Sequence, residues 1–544
     1  MVWNHERLSK AERMEAASGY AEGKVIESRQ IVPMLEAVIH PGDRVVLEGC
    51  NQKQASWLAK ALAAVSPENV HGLNMIIPSI SLGEHLDLFE KGIAEEVNFS
   101  FAGVQSLRLA SMVSEQKIHI GAIHTYLELY GRLYVDLTPN VCLIAADKAD
   151  RDGNLYTGYN TEETPMLAEA AAFKNGIVIA QVNEIVDSGK LPRVDIPGDW
   201  VDYIGKAEEP YPMEPLFTRD PARIQEAHIL MGMMAIKGIY AKHRVKSLNH
   251  GIGYNGAAIE LLLPTFGEYL GLKGQICTHW VLNPHPTLIP AIEAGWVKQV
   301  CAFGGELGME KYTAARTDIF FTGEDGALRS NRAAAQVAGL YGIDLFLGGT
   351  LQMDYVGNSS TVTDGRLSGF GGAPNMGCRC GGRRHTTKAW CDMRQEQTSM
   401  ISGQKLVVQM MKSKSRYGPG FVPVLEACEI GRKAEMESAP IMVYGEDVTH
   451  VVTEQGIAYL YQAENAEERT RMLGCVAQGT PIGSLVSEEE ILRLRRAGKV
   501  AYPQDMAISP DAAKKELLAA QSLEEIAAMS GGLYEVPERF KKKE

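Results

Sequence analysis

Asp43-Arg-Val-Val-Leu-Glu48, then Gly49-Cys-Asn-Gln52, then residues 54–65 set out the architecture in miniature. The short aliphatic run predicts a buried strand, and residues 54–65 carry apolar side chains at helical spacing. The polar turn between them falls at the strand's carboxyl end, where α/β proteins place ligand contacts. The same alternation recurs along most of the chain. Val141-Cys-Leu-Ile-Ala-Ala146 and Gly176-Ile-Val-Ile-Ala-Gln-Val182 read as further buried strands. They flank a polar loop at 150–163 and a helix at 165–174. Buried strands alternating with helices predict α/β layers with largely parallel sheets.

A boundary is expected within residues 192–220, where five prolines fall between Pro192 and Pro215 and no periodicity is sustained. A helix then follows over 221–242. His228 reads there as a satisfied core histidine, and Met231-Gly-Met-Met234 as core packing. The second half repeats the logic of the first. A turn at 247–256 leads into a buried helix at 257–263, followed by strands at 300–303 and 344–347. Residues 441–444 are expected to pair with 449–453. From Ser487 onward the chain reads as helical, charged and peripheral. The expected domains are 1–220 and 221–544, two pseudo-duplicated α/β units of unequal length facing a shared cleft.

At 544 residues the chain exceeds one ordinary core. Fifty-four Lys and Arg against 67 Asp and Glu give a net charge of -13, which argues against nucleic acid as a partner. No apolar run approaches about 20 residues, which argues against a membrane span. The charged start, Met1-Val-Trp-Asn-His-Glu-Arg7, does not read as a signal peptide, so a cytoplasmic location is expected. The nine cysteines are scattered. Cys378, Cys380 and Cys391 cluster around His385 and offer donors for a tetrahedral ion. Cys-x-Cys is not the paired spacing of structural zinc, and no metal is assigned.

The chemistry concentrates in Ser368-Gly-Phe-Gly-Gly-Ala-Pro-Asn-Met-Gly377 and Gly381-Gly-Arg-Arg-His385. Glycines there allow close backbone approach to a ligand, and adjacent guanidinium forks suit a carboxylate or phosphate. A second candidate is His250-Gly-Ile-Gly-Tyr-Asn-Gly256, leading into a helix. It lacks the acidic partner of a dinucleotide fold, so NAD is rejected. A third is Glu454 in Val452-Thr-Glu-Gln-Gly456, at the end of an apparent strand. Asp150-Arg-Asp-Gly-Asn154 lacks the remaining ligands of a calcium loop and reads as a turn joining two strands.

Together these motifs resemble family I coenzyme A transferases. Asp150-Arg-Asp-Gly-Asn-Leu-Tyr156, Ala168-Glu-Ala-Ala171 and Val182-Asn-Glu184 are similar to their first half. Gly251-Ile-Gly253, Gly369-Phe-Gly-Gly372 and Val452-Thr-Glu-Gln-Gly456 are similar to their second. Gly371-Gly-Ala-Pro-Asn-Met-Gly377 with Gly382-Arg-Arg-His385 resembles the branch formed by α subunits of biotin-independent malonate decarboxylases. That branch commonly has His-Asp-Pro where this chain has Cys378-Arg-Cys380.

The resemblance implies two coenzyme A transferase-type domains and a role in acyl transfer. An acetyl thioester on an acyl carrier protein would exchange with malonate to give malonyl thioester and acetate. The thiol would belong to a carrier-borne phosphopantetheine-type group derived from dephospho-coenzyme A, or to coenzyme A, with no cofactor covalently bound to this chain. Decarboxylase subunits would be further partners. Gly371 and Gly372 are the catalytic backbone candidates. Gly251, Gly253, Asn255 and Gly369 are candidates for the thioester, and Asn375, Arg383, Arg384 and Glu454 for the substrate. The family's strand-end glutamate nucleophile aligns with His279, in Thr278-His-Trp280. Two routes stay open: Glu306, in Gly304-Gly-Glu-Leu-Gly308, serves as nucleophile, or malonate attacks the thioester directly. The alternatives are an acyl-coenzyme A hydrolase of the same fold and a non-catalytic scaffold that binds the carrier.

Overall fold

Two mainly parallel sheets organise the chain, and the computed structural model describes residues 2–50, 52–378, 389, 405–415 and 418–541. The first sheet contains β1 (Ala21–Glu22), β2 (Val25–Ile26), β3 (Arg44–Leu47), β4 (Leu73–Ile80) and β5 (Ala94–Ala102). It continues with β6 (His119–Ile123), β7 (Val141–Asp150), β8 (Leu155–Tyr156), β9 (Ile177–Val186) and β10 (Tyr203–Lys206). Its spatial order is β1-β2-β10-β9-β7-β3-β4-β5-β6, with β8 hairpinned onto β7. Every pair is parallel except β1 with β2 and β7 with β8. Alternation along the strands serves two cores at once. Val45 and Leu47 pack into one apolar layer and Val46 into the other, and β7 divides in the same way. A sheet covered on both faces needs such continuous apolar runs.

The second sheet contains β11 (Ser247–His250), β12 (His279–Val281), β13 (Gln299–Cys301), β14 (Leu345–Gly349) and β15 (Leu406–Met410). It ends with β16 (His450–Val452), β17 (Ile457–Ala458) and β18 (Val500–Ala501). The order is β13-β12-β11-β14-β15-β16-β17-β18, parallel up to β16 and antiparallel beyond it. Residues 441–444 do not pair with 449–453 as expected. Val443 makes an isolated bridge to Ser359, and β16 instead lies between β15 and β17. A neighbouring parallel strand took the place assigned to a hairpin, because apolar character alone does not name a partner.

Other expectations sharpen. β7 runs four residues past the aliphatic run, and Asp150 closes the turn to β8 by accepting from the N–H groups of Asp152 and Asn154 at 3.0 Å each. The helix expected at 221–242 is a 3₁₀ turn, an α-helix Glu226–Ala235 and a π-helical stretch Ile236–Ala241. His228 caps that α-helix, its Nδ1 accepting from Gln225 N at 3.0 Å. The carboxyl-terminal stretch is not merely peripheral. β18 completes the sheet, Leu494, Ile526 and Tyr534 are buried in the second core, and Arg539 reaches the cavity described below. Among the described residues, no helix is long and apolar enough to cross a membrane.

A buried histidine here gives a first prediction. His243 is fully buried, set edge-on against the rings of His450 and Tyr461, and neither ring nitrogen has a hydrogen-bond partner among the described residues. Burial, with Lys242 adding to it, lowers its pKa to about 3. The folded value lies below the unfolded one, so this contribution is intact above about pH 6.5 and is lost as pH falls from there toward 3. His243→Phe should therefore gain on wild type as pH falls below 6.5, at a rate that approaches about 1.4 kcal/mol per pH unit near pH 5. Urea midpoints at several pH values check this, and a gap that does not vary with pH would refute it.

Candidate functional site

Parallel strands deliver all their carboxyl ends to one edge, and here those edges of the two sheets face each other across a cavity of about 530 Å³. The first half contributes Cys50 and Gln52 after β3, Ser79 near the end of β4, Gly103 after β5 and Tyr126 after β6. The second contributes His250 and Gly251 from β11, Asn283 after β12, Phe303 after β13 and Gly349 at the end of β14. The connection between the halves crosses the cavity too, placing Glu214, Leu216, Phe217 and Arg219 on its wall.

The glycine-rich loop is docked onto β5 by its backbone. Phe370 N and Gly371 N both donate to Ser100 O, at 2.7 and 2.8 Å, and Ala102 N donates to Ser368 O at 2.7 Å. Gly369 holds φ +70, and a Cβ there would lie 2.6 Å from Ser100 O. Only glycine fits that combination of conformation and contact. Gly371 O accepts from Tyr126 N at 3.2 Å, so the loop also meets the helix Tyr126–Arg132. With the Phe370 and Gly371 amides occupied, the N–H groups of Gly369 and Gly372 are the loop glycine amides that take no acceptor among the described residues. The Gly251 amide is likewise committed, donating to Leu347 O at 2.8 Å.

Behind the wall lies a buried charge network. Arg332, the first residue of the helix Arg332–Tyr341, pairs with Glu162 and, at 3.2 Å, with Glu163. Its backbone N–H donates to Glu162 O at 3.1 Å, joining the halves. The guanidinium lies over the Tyr126 ring at 4.6 Å, and its buried Nη1 has no hydrogen-bond partner among the described residues. Lys53 lies 3.6 Å from Glu48 in the same network. Burial pushes the Glu162 carboxyl up to about 7, with Arg332 pulling it back. Burial, reinforced by Glu162 and Glu163, pushes the Cys50 thiol well above its ordinary range, so Cys50 is a neutral thiol at the cavity wall.

A second buried network sits under the β11–β12 edge. Glu260 accepts from His250 Nδ1 at 2.9 Å, His285 Nδ1 at 3.0 Å and Thr287 Oγ1 at 2.5 Å. Burial alone would raise the Glu260 carboxyl, but the imidazoles hold it well below the usual range. An acceptor-only carboxylate fixes both Nδ1 atoms as donors, which leaves His250 Nε2 to accept from Tyr240 Oη at 2.9 Å. The cavity-wall imidazole is thus locked in place.

The expected site residues divide clearly. Gly251, Gly369, Gly371 and Gly372 line the cavity. Asn375 lies just beneath, buried, with Nδ2 donating to Gln336 Oε1 at 2.8 Å. Gly253 and Asn255 begin the helix Tyr254–Leu262 beside the Gly251 turn, and Asn255 Nδ2 donates to Met410 O at 2.8 Å. Glu454 is at the same sheet edge, past β16, bonded to the Ser413 N–H and hydroxyl. Glu306 is fully buried behind Gln52, and burial pushes its carboxyl up to about 7 against the Thr218 and Phe217 donors. His279 opens β12 at the opposite, amino-terminal edge, exposed and away from the cavity. The cavity end of that strand carries Asn283, whose Nδ2 donates to Gly305 O at 2.9 Å. Arg383, Arg384, Cys380, His385 and Cys391 lie outside the described residues. Arg332, Tyr126 and Gln336 escaped the sequence reading, since each sits in an ordinary helix with no local signal of the cavity.

The comparisons with known proteins agree with this geometry. The model of a family described as "Malonate decarboxylase, alpha subunit, transporter" matches residues 2–543. The acetyl-S-ACP:malonate ACP transferase of Malonomonas rubra is 51% identical over 548 residues, covering 99% of both chains. A malonate decarboxylase alpha subunit from Acinetobacter baumannii superposes with a TM-score of 0.96 at 56% identity, covering 99% of this chain and 100% of that one. A chain of a Pseudomonas malonate decarboxylase hetero-tetramer, solved in complex with malonate, gives 0.97 at 57% identity, covering 99% of each. The fold alone extends further, to an Escherichia coli O157:H7 acyl-CoA transferase at 15% identity and a TM-score of 0.52, covering 80% of this chain and 87% of that one. This chain belongs to the family of malonate decarboxylase alpha subunits.

Proposed function

We propose that this chain is an acyl carrier protein transferase, exchanging acetyl for malonyl on a carrier thiol within a malonate decarboxylase assembly. The observation that carries the reading is the Arg332 guanidinium, fixed by two carboxylates in a residue that lines the cavity between two strand-end edges. A dicarboxylate keeps one carboxylate free while the other reacts, and a preorganised guanidinium suits it. Arg383 and Arg384 would complete that clamp, with Asn375 holding Gln336 in place. The thioester is carried on a phosphopantetheine-type arm derived from dephospho-coenzyme A, which enters between the glycine loop and the Gly251–Gly253 turn. The two active halves are residues 1–220 and 221–544.

The reaction proceeds by direct attack. A malonate carboxylate oxygen adds to the acetyl carbonyl, and the thiolate leaves with its electron pair, giving an acetyl–malonyl anhydride. The thiolate then attacks the malonyl carbonyl and releases acetate. The Gly372 N–H is positioned to donate to the developing oxyanion, a contribution whose loss typically costs about 100- to 1000-fold. Asn283 at the cavity end of β12 is an amide and does not form the acyl-enzyme that a glutamate there would form.

The full chain, given acetyl carrier protein and malonate, should yield malonyl carrier protein by mass spectrometry, with initial-rate lines that intersect. No malonyl thioester would point to a scaffold, and acyl loss without malonate to a hydrolase. Parallel lines with a borohydride-trapped adduct on Glu214 or Glu306 would replace direct attack by a covalent route.

A further inference from the structure

Residues 214–219 cross the cavity as a strap between the halves, and one side chain fastens them. Glu306 Oε1 accepts from Phe217 N at 3.0 Å, Thr218 N at 2.8 Å and Thr218 Oγ1 at 2.7 Å. Its Oε2 accepts from Gln52 Nε2 at 3.2 Å, and that same amide donates to Glu214 O at 3.3 Å. One carboxylate thus ties the turn after β13 to the strap and to the first-half loop after β3. The Phe217 ring stacks on His285, with centroids 5.4 Å apart, which seats the strap on the Glu260 network. Arg219 Nη1 folds back onto Leu216 O and Thr218 O, both at 2.8 Å, so the strap is internally braced as well.

This arrangement bears on the nucleophile. An acyl acceptor needs an oxygen lone pair facing the thioester, yet Glu306 is fully buried, both its oxygens hold protein donors, and it is absent from the cavity wall. We propose that Glu306 is a positioning residue, a latch that holds the strap 214–219 across the cavity and against Gln52, and not an acyl-accepting nucleophile. The strap supplies Leu216, Phe217 and Arg219 to the wall, so the latch acts on substrate affinity through them. The proposal rests on the acyl-transfer reading and deepens it.

A latch and a nucleophile leave opposite kinetic traces. Loosening a latch lowers the population of the closed cavity, which raises apparent KM by the inverse of that population; saturating substrate restores closure. Removing a nucleophile instead lowers kcat. With the full chain, acetyl carrier protein and malonate, Glu306→Gln should raise KM about tenfold and hold kcat within about threefold. Thr218→Val, which leaves the carboxylate intact, should shift KM in the same direction, and the double variant should be no worse than Glu306→Gln alone. Without substrate, trypsin should cut after Arg219 or Arg223 about tenfold faster in both variants, since cleavage follows the opened fraction. A kcat loss beyond about 100-fold at unchanged KM, a borohydride-stable adduct on Glu306, or unchanged tryptic sensitivity would each overturn the latch. If wild type transfers no acyl group, the acyl-transfer reading fails, and the tryptic comparison still decides whether Glu306 holds the strap.

Discussion

Gly369→Ala is expected to lower acyl transfer at least about 100-fold while the chain still folds. The new Cβ meets backbone: Ser100 O at 2.6 Å and Phe101 Cα at 3.0 Å, and neither can rotate away as a side-chain tip would. The φ of +70 adds roughly 1–2 kcal/mol for a residue with a Cβ. The loop must therefore lift from β5, breaking the Phe370 and Gly371 bonds to Ser100 O and moving the Gly372 N–H off the wall. A displacement near 1 Å at a reacting centre is enough for the stated loss. Gly365→Ala is the control. It has φ +78 but nothing within 4 Å of its Cβ, so it carries the conformational cost without the collision and should stay active. Turnover by carrier mass spectrometry and a urea midpoint for each variant decide the matter. An active Gly369→Ala, or one that simply unfolds, would remove the loop from the site.

Arg332→Met should destabilise the chain by about 3–5 kcal/mol, because it leaves Glu162 and Glu163 buried with their shared cation gone. The loss should depend on pH with a definite sign. Burial already raises the folded pKa of Glu162 to about 7, above its unfolded value, and removing Arg332 pushes it further in that direction. A raised carboxyl favours the folded state at low pH and loses that advantage as pH rises from about 4.5 through the folded value. The deficit in urea midpoint should accordingly be smaller at pH 5.5 than at pH 8. Adding Glu162→Gln and Glu163→Gln should restore most of the stability, since the uncompensated charges go with them. The malonate KM should remain high in that triple variant, because the Arg332 guanidinium at the cavity is still missing. A triple variant with wild-type malonate KM would leave Arg332 a purely structural residue.

The sequence by itself determined the layered architecture and the loops that line the cavity. Aliphatic runs such as Val45–Leu47 and 141–146 can satisfy two apolar faces only inside a covered parallel sheet, and parallel strands oblige their connecting turns to gather at one edge. The turns at 49–52, 251–253 and 369–372 were legible for that reason, and so was the acyl-transfer family they resemble. Register and partnership were not legible. Thr278-His-Trp280 looked like a strand end, but β12 pairs with β11 from its first residue, so His279 falls at the far edge and Asn283 at the cavity. Residues 441–444 looked like the partner of 449–453 because apolar pattern does not specify a neighbour. Glu306, Arg332 and the strap acquire meaning only from atoms far away in sequence: Gln52 lies 254 positions from Glu306, and Glu162 lies 170 from Arg332. Burial of a charge is decided by what packs around it, and local sequence holds no record of that. Only the tertiary structure made one carboxylate a latch and fixed one guanidinium between two buried carboxylates beside the cavity.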